Sequence, residues 1–437
     1  MSLRLLNKSP FLRFPRYYCT KPEPTTSTSI TNFTIAKKQK LYIIDEISPG
    51  SIFFLPHGTR ILNKLIKFMK FQQRNHGFEE VMTPLIYKKQ LWEKSGHWLN
   101  YKDDMFQVQG TDTGKEEYGL KPMNCPGHCL IFDRFDRSYQ ELPIRLSDFS
   151  SLHRNESSGS LSGLTRVRRF HQDDGHIFCS QDQIKQEIQS TLELIDKVYK
   201  KFDILDYKLF LSTRPEEYMG KLEEWDLAEE SLREVLESTG APWEINEGDG
   251  AFYGPKIDII LKDSTGKEHQ SATIQLDFQL PHNFQLKYKT NENGVLEQPI
   301  MIHRAVYGSL ERFLAILIDH YQGKWPFWLS PRQAVIIPIN ESHISYAETM
   351  AKEINNEGEE ENLNDYKFFL ELDKRNETVG QRIKEAITQG YNYIIIIGDK
   401  EVKSGELAIR SSGSKKLQVM KSGEIRDFFI DLEKSYK

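Results

Sequence analysis

The sequence predicts an α+β fold, with a large part built on antiparallel strands followed by a small α/β domain. Three stretches carry that expectation. Leu142 to Phe178 alternates apolar and polar residues on both sides of the Ser/Gly-rich loop from Ser157 to Gly163, the pattern of a long antiparallel hairpin. His269 to Leu280 alternates too, setting Ile274, Leu276, Phe278 and Leu280 on one face and Thr273, Gln275, Asp277 and Gln279 on the other. From about Pro331 the strand-like runs AVIIPI, FFLELD and YIIIIG alternate with helical segments near Ser342 to Asn355 and Val379 to Gln389, so the strands there are expected to run mostly parallel.

Length and composition bound the rest. At 437 residues the chain has room for two or three domains, and 38% hydrophobic with 28% charged residues places it in the soluble globular class. A net charge of -5 gives no global sign of nucleic-acid binding, so a polyanionic partner has to be met by local basic patches. No apolar run approaches the roughly 18 residues that a membrane span needs. The four cysteines, Cys19, Cys125, Cys129 and Cys179, are too few for a disulfide framework; reduced thiols or a metal ligand are expected.

From the N-terminus, residues 1 to 22 hold Arg4, Lys8, Arg13, Arg16 and Lys21 among Leu and Phe, with no acidic residue. That is the composition of a mitochondrial targeting peptide, and Pro24 to Ser29 reads as a linker, so residues 1–33 are set outside the fold. Residues 57 to 76 repeat apolar positions at helical spacing (Ile61, Leu65, Phe68, Met69), and FEEVMTPLIY then reads as a strand that Pro84 confines to an edge or interface. In KPMNCPGHC, Cys125 and Cys129 bracket His128. With no second Cys/His pair downstream, a closed structural zinc knuckle is not expected.

Beyond the hairpin, Ile184, Ile188, Leu192, Ile195, Val198 and Phe202 mark an amphipathic helix. A strand at Tyr207 to Ser212, a helix around Trp225 to Leu236, and a strand after GDGAFYGPK follow. IMIHRAVYGSLERFLAILID passes from a strand through Gly308 into an apolar helix that carries Arg312 near its start, as a capping or surface residue or one aimed into a cleft. Glu357 to Asp365 reads as a solvated acidic loop. No glycine fingerprint for phosphate is present.

If the hairpin strand stays regular, Arg166, Arg168, Phe170, Gln172, Asp174 and His176 share one face, with Arg154 and Glu156 on the incoming strand. Guanidinium groups beside an aromatic ring suit an anionic nucleotide, though a solvated charged hairpin has the same composition.

These residues lie in longer strings (LWEKSGHW, KPMNCPGH, HRNE, QDDGHIFC, LSTRPE, GAFYGPKID, IQLDF, MIHRA and GSLERF) in which the chain from about Ile35 resembles the threonyl-tRNA synthetases, of class II. The N-terminal segment looks like that of a mitochondrial form, active in the matrix. The resemblance implies a class II catalytic domain over residues 34–328, with an antiparallel sheet of about six or seven strands and flanking helices, then an anticodon-binding domain over 329–437. It implies a homodimer joined through residues 57 to 86. The reaction it implies joins L-threonine to ATP (with Mg(II)) as threonyl-adenylate, then transfers threonine to tRNA(Thr).

Residue by residue, the resemblance makes Arg154 the grip on the α-phosphate, Glu156 the partner of the adenine amino group, Phe170 and Arg312 the adenine sandwich, and Arg166 the holder of the outer phosphates. Gln270 and Thr273 would line the ATP pocket. Met123, Gln172, Tyr253, Gln275 and Lys256 would line the amino-acid side, where Lys256 is also expected to act in catalysis, and His97 would sit near the tRNA acceptor end. Cys125, His176 and His303 match the family's Zn(II) ligands, with Asp174 accepting from the substrate hydroxyl. In the tail, Lys374, Arg375, Asn376, Glu377 and Arg382 fall in the anticodon-reading stretch.

Only a short stretch precedes the catalytic region, so the separate editing domain of many family members is not expected. The competing readings are a class II synthetase for another amino acid and a non-catalytic tRNA-binding paralogue. The metal set argues against the first, and Arg154, Glu156 and Arg312 against the second.

Overall fold

In the computed structural model, the description covers residues 32–110, 114, 116–263, 266–357 and 365–437. The basic N-terminal segment with its linker, and most of the acidic run after Glu357, lie outside the described residues.

An eight-stranded sheet forms the body of the first unit, in the order Trp243–Asn246, Tyr207–Ser212, Lys256–Lys262, Glu268–Asp277, Ile300–Ala305, Asp174–Cys179, Ile144–Asp148 and Glu79–Glu80. The six inner strands pair antiparallel throughout, and the two short outer strands pair parallel. Those two edges extend the expected sheet to eight. One face is covered by the helices Pro56–Asn75, Ile184–Lys201 and Leu310–Tyr321, whose apolar stripes meet the alternating Ile257, Ile259, Ile274, Leu276 and Ile302 in a single core. That leaves the sheet's polar face open. At one end the helix Cys125–Asp133 crosses that face and lays Phe132 on Phe178, with ring centroids 4.6 Å apart.

The long hairpin is shorter than the alternation predicts. Ser151–His153 pairs with Arg169–His171 as a separate two-stranded ribbon, and residues 154–168 form a loop. The chain then breaks stride at Asp173, whose buried carboxylate accepts from the backbone N–H of Val306 (2.8 Å) and Tyr307 (2.9 Å) and pairs with Arg304 (3.3 Å). Asp174–Cys179 re-enters in the large sheet. FEEVMTPLIY likewise splits at Pro84 into Glu79–Glu80 and Ile86–Lys88, in different sheets.

The second unit has a five-stranded sheet, ordered Leu370–Leu372, Ala334–Pro338, Tyr393–Ile397, Leu407–Ser411 and Gln418–Met420. Its first three strands run parallel, as the strand–helix alternation predicts, while the last two add an antiparallel hairpin that the sequence reading passed over. It has its own cores, one around Ile336, Ile395 and Phe429 and a smaller one around Ile394 and Ala386. Helix Pro56–Asn75 ties the units together: Lys64 pairs with Glu433 at 2.5 Å and Arg60 donates to the Pro331 carbonyl at 2.9 Å. Among the described residues no helix is long and apolar enough to cross a membrane.

Candidate active site

Strand register assembles the site. Ser212, Lys256, Gln275, His303, His176 and Leu146 stand directly opposite one another on six neighbouring strands, so these residues, far apart in sequence, form one row on the open face. A parallel row sets Thr273 opposite Ala305 and Asp258, and Asp174 stands opposite Asp148. Two cavities of about 200 and 150 Å³ open over these rows. They share Arg154, Gln172, Thr273 and Ala305.

The larger cavity takes Glu156, Arg166, Phe170, Gln270 and Arg312 as well. Arg154 lies with its guanidinium 5.0 Å from the Phe170 ring centroid, and Arg166 donates to Glu156 at 2.7 Å. Arg312 is aimed into the cleft. Gly308, at φ +73, makes the turn before its helix, where a Cβ would stand 2.3 Å from the Ser271 carbonyl. Ser309 caps the helix through the Arg312 backbone N–H, leaving the guanidinium to reach the carbonyls of Thr165 (3.2 Å) and Gln270 (3.0 Å). Burial first, and then Arg154 and Arg166, lower the Arg312 pKa. Three cations crowded together are an anion site in waiting.

The smaller cavity is lined by Met123, Cys125, Asp174, His176, Tyr253, Gln275 and His303. Asn124 donates to Asp174 at 3.0 Å, and Tyr253 donates to Gln275 at 2.8 Å. Ligand atoms of Cys125, His176 and His303 all lie within 4.8 Å of one another, close enough to share one ion. The donor set fits zinc: burial holds His176 neutral, the ligating form, and raises the Cys125 thiol pKa, so its thiolate needs an adjacent cation. His303 Nε2–H donates to Asp277 at 2.8 Å, turning Nδ1 toward the site. His97 is buried beside this cavity, 2.8 Å from Ser95 Oγ and 3.1 Å from Met123 Sδ, and burial pushes its pKa down to about 4.

Three residues named from the sequence make contacts that it did not foretell. Arg168 leaves the shared face, because it lies in the loop, where it donates to the Glu156 carbonyl at 2.8 Å. Lys256 does not line either cavity; it is held by Asp258 at 2.7 Å and Asp249 at 3.1 Å, one strand beyond Gln275. Arg382 is buried at 3% exposure, donates to the carbonyls of Asp373 and Ile339, bracing a loop, and lines the cavity beside it. Around that loop a cavity of about 340 Å³ is lined by Glu371, Lys374, Arg375, Gln389 and Tyr391, with Asn376 and Glu377 exposed beside it. Arg375 is paired with Asp373 and Glu385, and Lys374 with Glu348.

Sequence reading missed Asp258, which accepts from Gln270, Thr273, Ser212 and Lys256, and also Asn124. It missed Asp277's part as well, although the alternation put that residue on the polar face.

Two family models match: the tRNA synthetase class II core domain (G, H, P, S and T) over residues 106–321, and an anticodon binding domain over 333–432. A mitochondrial threonine–tRNA ligase of Saccharomyces cerevisiae is 54% identical over 96% of this chain and 96% of its own. A probable mitochondrial threonine–tRNA ligase of Schizosaccharomyces pombe is 50% identical over 94% and 91%. The crystal structure described as the RNA binding domain of threonyl-tRNA synthetase from Cryptosporidium parvum superposes with a TM-score of 0.86 at 42% identity, covering 92% of this chain and 98% of that one.

Proposed function

The chain belongs to the class II threonine–tRNA ligases, and on that premise we propose how its residues divide the reaction. The observation that carries the division is the shared wall of the two cavities. Arg154 stands where a nucleotide in one and an amino acid in the other would meet.

In the first step a carboxylate oxygen of threonine attacks the α-phosphorus of ATP, and pyrophosphate leaves. Arg154 holds the α-phosphate and stabilises the charge that builds there; Arg166 holds the departing phosphates, whose charge Mg(II) bound with ATP would help to neutralise. Phe170 and Arg312 sandwich the adenine, Glu156 accepts from its amino group, and Gln270 and Thr273 close the floor. Arg166 and Glu156, paired with each other at 2.7 Å, have to part as ATP enters.

Cys125, His176 and His303 would hold Zn(II), which when bound supplies a Lewis-acid site for the amino and hydroxyl groups of threonine. Asp174 accepts from the hydroxyl, steadied by Asn124, while Met123, Gln172, Tyr253 and Gln275 shape the remaining wall. Valine has threonine's shape without the hydroxyl, leaving buried polar groups unpaired. Serine lacks only a methyl, worth roughly 1 to 3 kcal/mol, so serine is the expected error.

In the second step the terminal ribose hydroxyl of tRNA(Thr) attacks the adenylate carbonyl, and AMP leaves. His97, neutral because burial keeps its pKa near 4, is placed to accept a proton beside Met123. The tail meets the anticodon through Lys374, Arg375, Asn376 and Glu377, with Arg382 holding their loop in shape.

Two further readings rest on support of the same kind. The exposed Met82, Leu85 and Ile86 next to Pro84 support a homodimer joined along that edge. The basic N-terminal segment and the mitochondrial relatives support a protein imported to the matrix for translation there.

Amino-acid-dependent ATP–pyrophosphate exchange tests the whole reading. Exchange is expected with threonine, weakly with serine, and not with valine; silence with threonine would overturn it.

A further inference from the structure

His128 has no place in the reaction described above, yet it is fully buried and touches one of the proposed metal ligands. It lies three residues after Cys125 on the helix Cys125–Asp133, about one turn on, so both side chains point to the same region of the sheet. Its Nδ1 is 2.8 Å from Nδ1 of His176, and the rings meet edge to face at 87°. Two imidazole nitrogens at that distance share one hydrogen, so one ring donates and the other accepts.

Which ring donates follows from the far side of His176. Its Nε2 is 3.0 Å from Nδ1 of His303. The His303 proton sits on Nε2, because the carboxylate of Asp277, 2.8 Å away, only accepts. Nδ1 of His303 is therefore bare. For His176 to offer its own Nε2 to the same ion, its proton must sit on Nδ1 and go to His128.

We infer that His128 is the positioning residue for His176: its unprotonated Nδ1 accepts the His176 Nδ1–H, fixing the tautomer and ring angle that leave His176 Nε2 free to bind metal. The inference rests on the reading of Cys125, His176 and His303 as the zinc set. His128 then carries its own proton on Nε2, where the nearest carboxylate oxygen, Asp148 Oδ2, stands at 4.0 Å. Asp148 is itself fixed by the Thr83 backbone N–H (3.0 Å) and hydroxyl (2.7 Å) and by Lys121 (3.5 Å). The two histidine ligands thus differ in support: a carboxylate backs His303 at the nitrogen away from the site, whereas the imidazole of His128 backs His176 there.

The test is a pair of near-isosteric polar variants of the full chain, His128→Asn and His128→Gln. Asparagine sets an acceptor oxygen close to where Nδ1 lies; glutamine reaches only to the Nε2 position. Zinc affinity is measured by competition with a chelator, and the ligand-field spectrum of the Co(II)-loaded protein reports ligand geometry, neither of which a packing role alone would split between the two variants. The expected result is near-native affinity and spectrum for His128→Asn, and for His128→Gln a loss of about 10- to 100-fold with a shifted spectrum. Equal affinities and spectra for the two variants would overturn the inference. Failure of the zinc reading itself shows in the unmutated protein, as no stoichiometric zinc, and the inference falls with it.

Discussion

The two halves of the active site are built by different means. The nucleotide half stands on the ribbon and loop of residues 151–171, with charged groups that pair with one another while they wait, as Arg166 does with Glu156. The amino-acid half stands on sheet register, its polar groups are buried, and their partners are fixed in the core: Asp277 behind His303, His128 behind His176, Asn124 behind Asp174. The first half is adjustable and local. The second is preformed, and any shift in register would dismantle it, since a one-residue slip turns every side chain to the opposite face.

That contrast is open to attack, and the largest effect belongs to the preformed half. Asp174→Ala removes the acceptor for the substrate hydroxyl, so the preference for threonine over valine, expected to be on the order of 10⁴ or more, falls toward the ~10² found between isosteres that differ by a hydroxyl the pocket does not pair. Exchange rates with the two amino acids measure it. An unchanged preference would mean that the buried half does not read the hydroxyl through Asp174.

At the junction with the tRNA end, His97→Ala slows aminoacyl transfer by about 10²- to 10⁴-fold in single-turnover assays while adenylate formation keeps its rate. The sign with pH is distinctive. A histidine whose pKa is pushed down to about 4 stays neutral and able to accept a proton throughout pH 5 to 8, so transfer should not fall on acidification from pH 8 to 5.5, as it would with an ordinary imidazole.

Arg154 lines both halves, and Arg154→Ala lowers threonine-dependent exchange by about 10²- to 10³-fold without altering the threonine-to-valine ratio. A change in that ratio would blur the division drawn here. The smallest effect belongs to the ligand-free nucleotide half. A double-mutant cycle on Glu156 and Arg166, read by urea unfolding, should return a coupling of no more than ~1 kcal/mol that fades with added salt, because Arg166 is half exposed. A larger, salt-insensitive coupling would make the pair part of the scaffold instead of a latch.

The same contrast explains what was legible in the sequence. Arg154, Glu156, Arg166 and Phe170 sit within one ribbon and its loop, and period-two alternation reaches that far. It misplaced Arg168 because residues 154–168 are loop, and it could not foresee that Asp173 turns into the core between ribbon and sheet. Cys125, His176 and His303 come from three segments joined only by register and by a helix crossing the sheet, so spacing carries no trace of them and resemblance alone proposed them. His128 did leave a trace, three residues after Cys125, but with no second Cys/His pair it read as a failed zinc knuckle. The burial of Arg382 was readable in principle. It lies three residues after Val379 and four before Ala386, on the inward side of the helix Val379–Gln389, where its guanidinium reaches backbone carbonyls.

The account turns on one ion. The most direct measurement is an anomalous-scattering map at the zinc edge, from crystals of the protein grown with a non-hydrolysable threonyl-adenylate analogue. The account predicts a peak bonded to Cys125 Sγ, His176 Nε2 and His303 Nδ1 and to the hydroxyl of the analogue's threonyl group. A map with no peak among those three atoms, or with the threonyl hydroxyl turned away from it, would contradict the account.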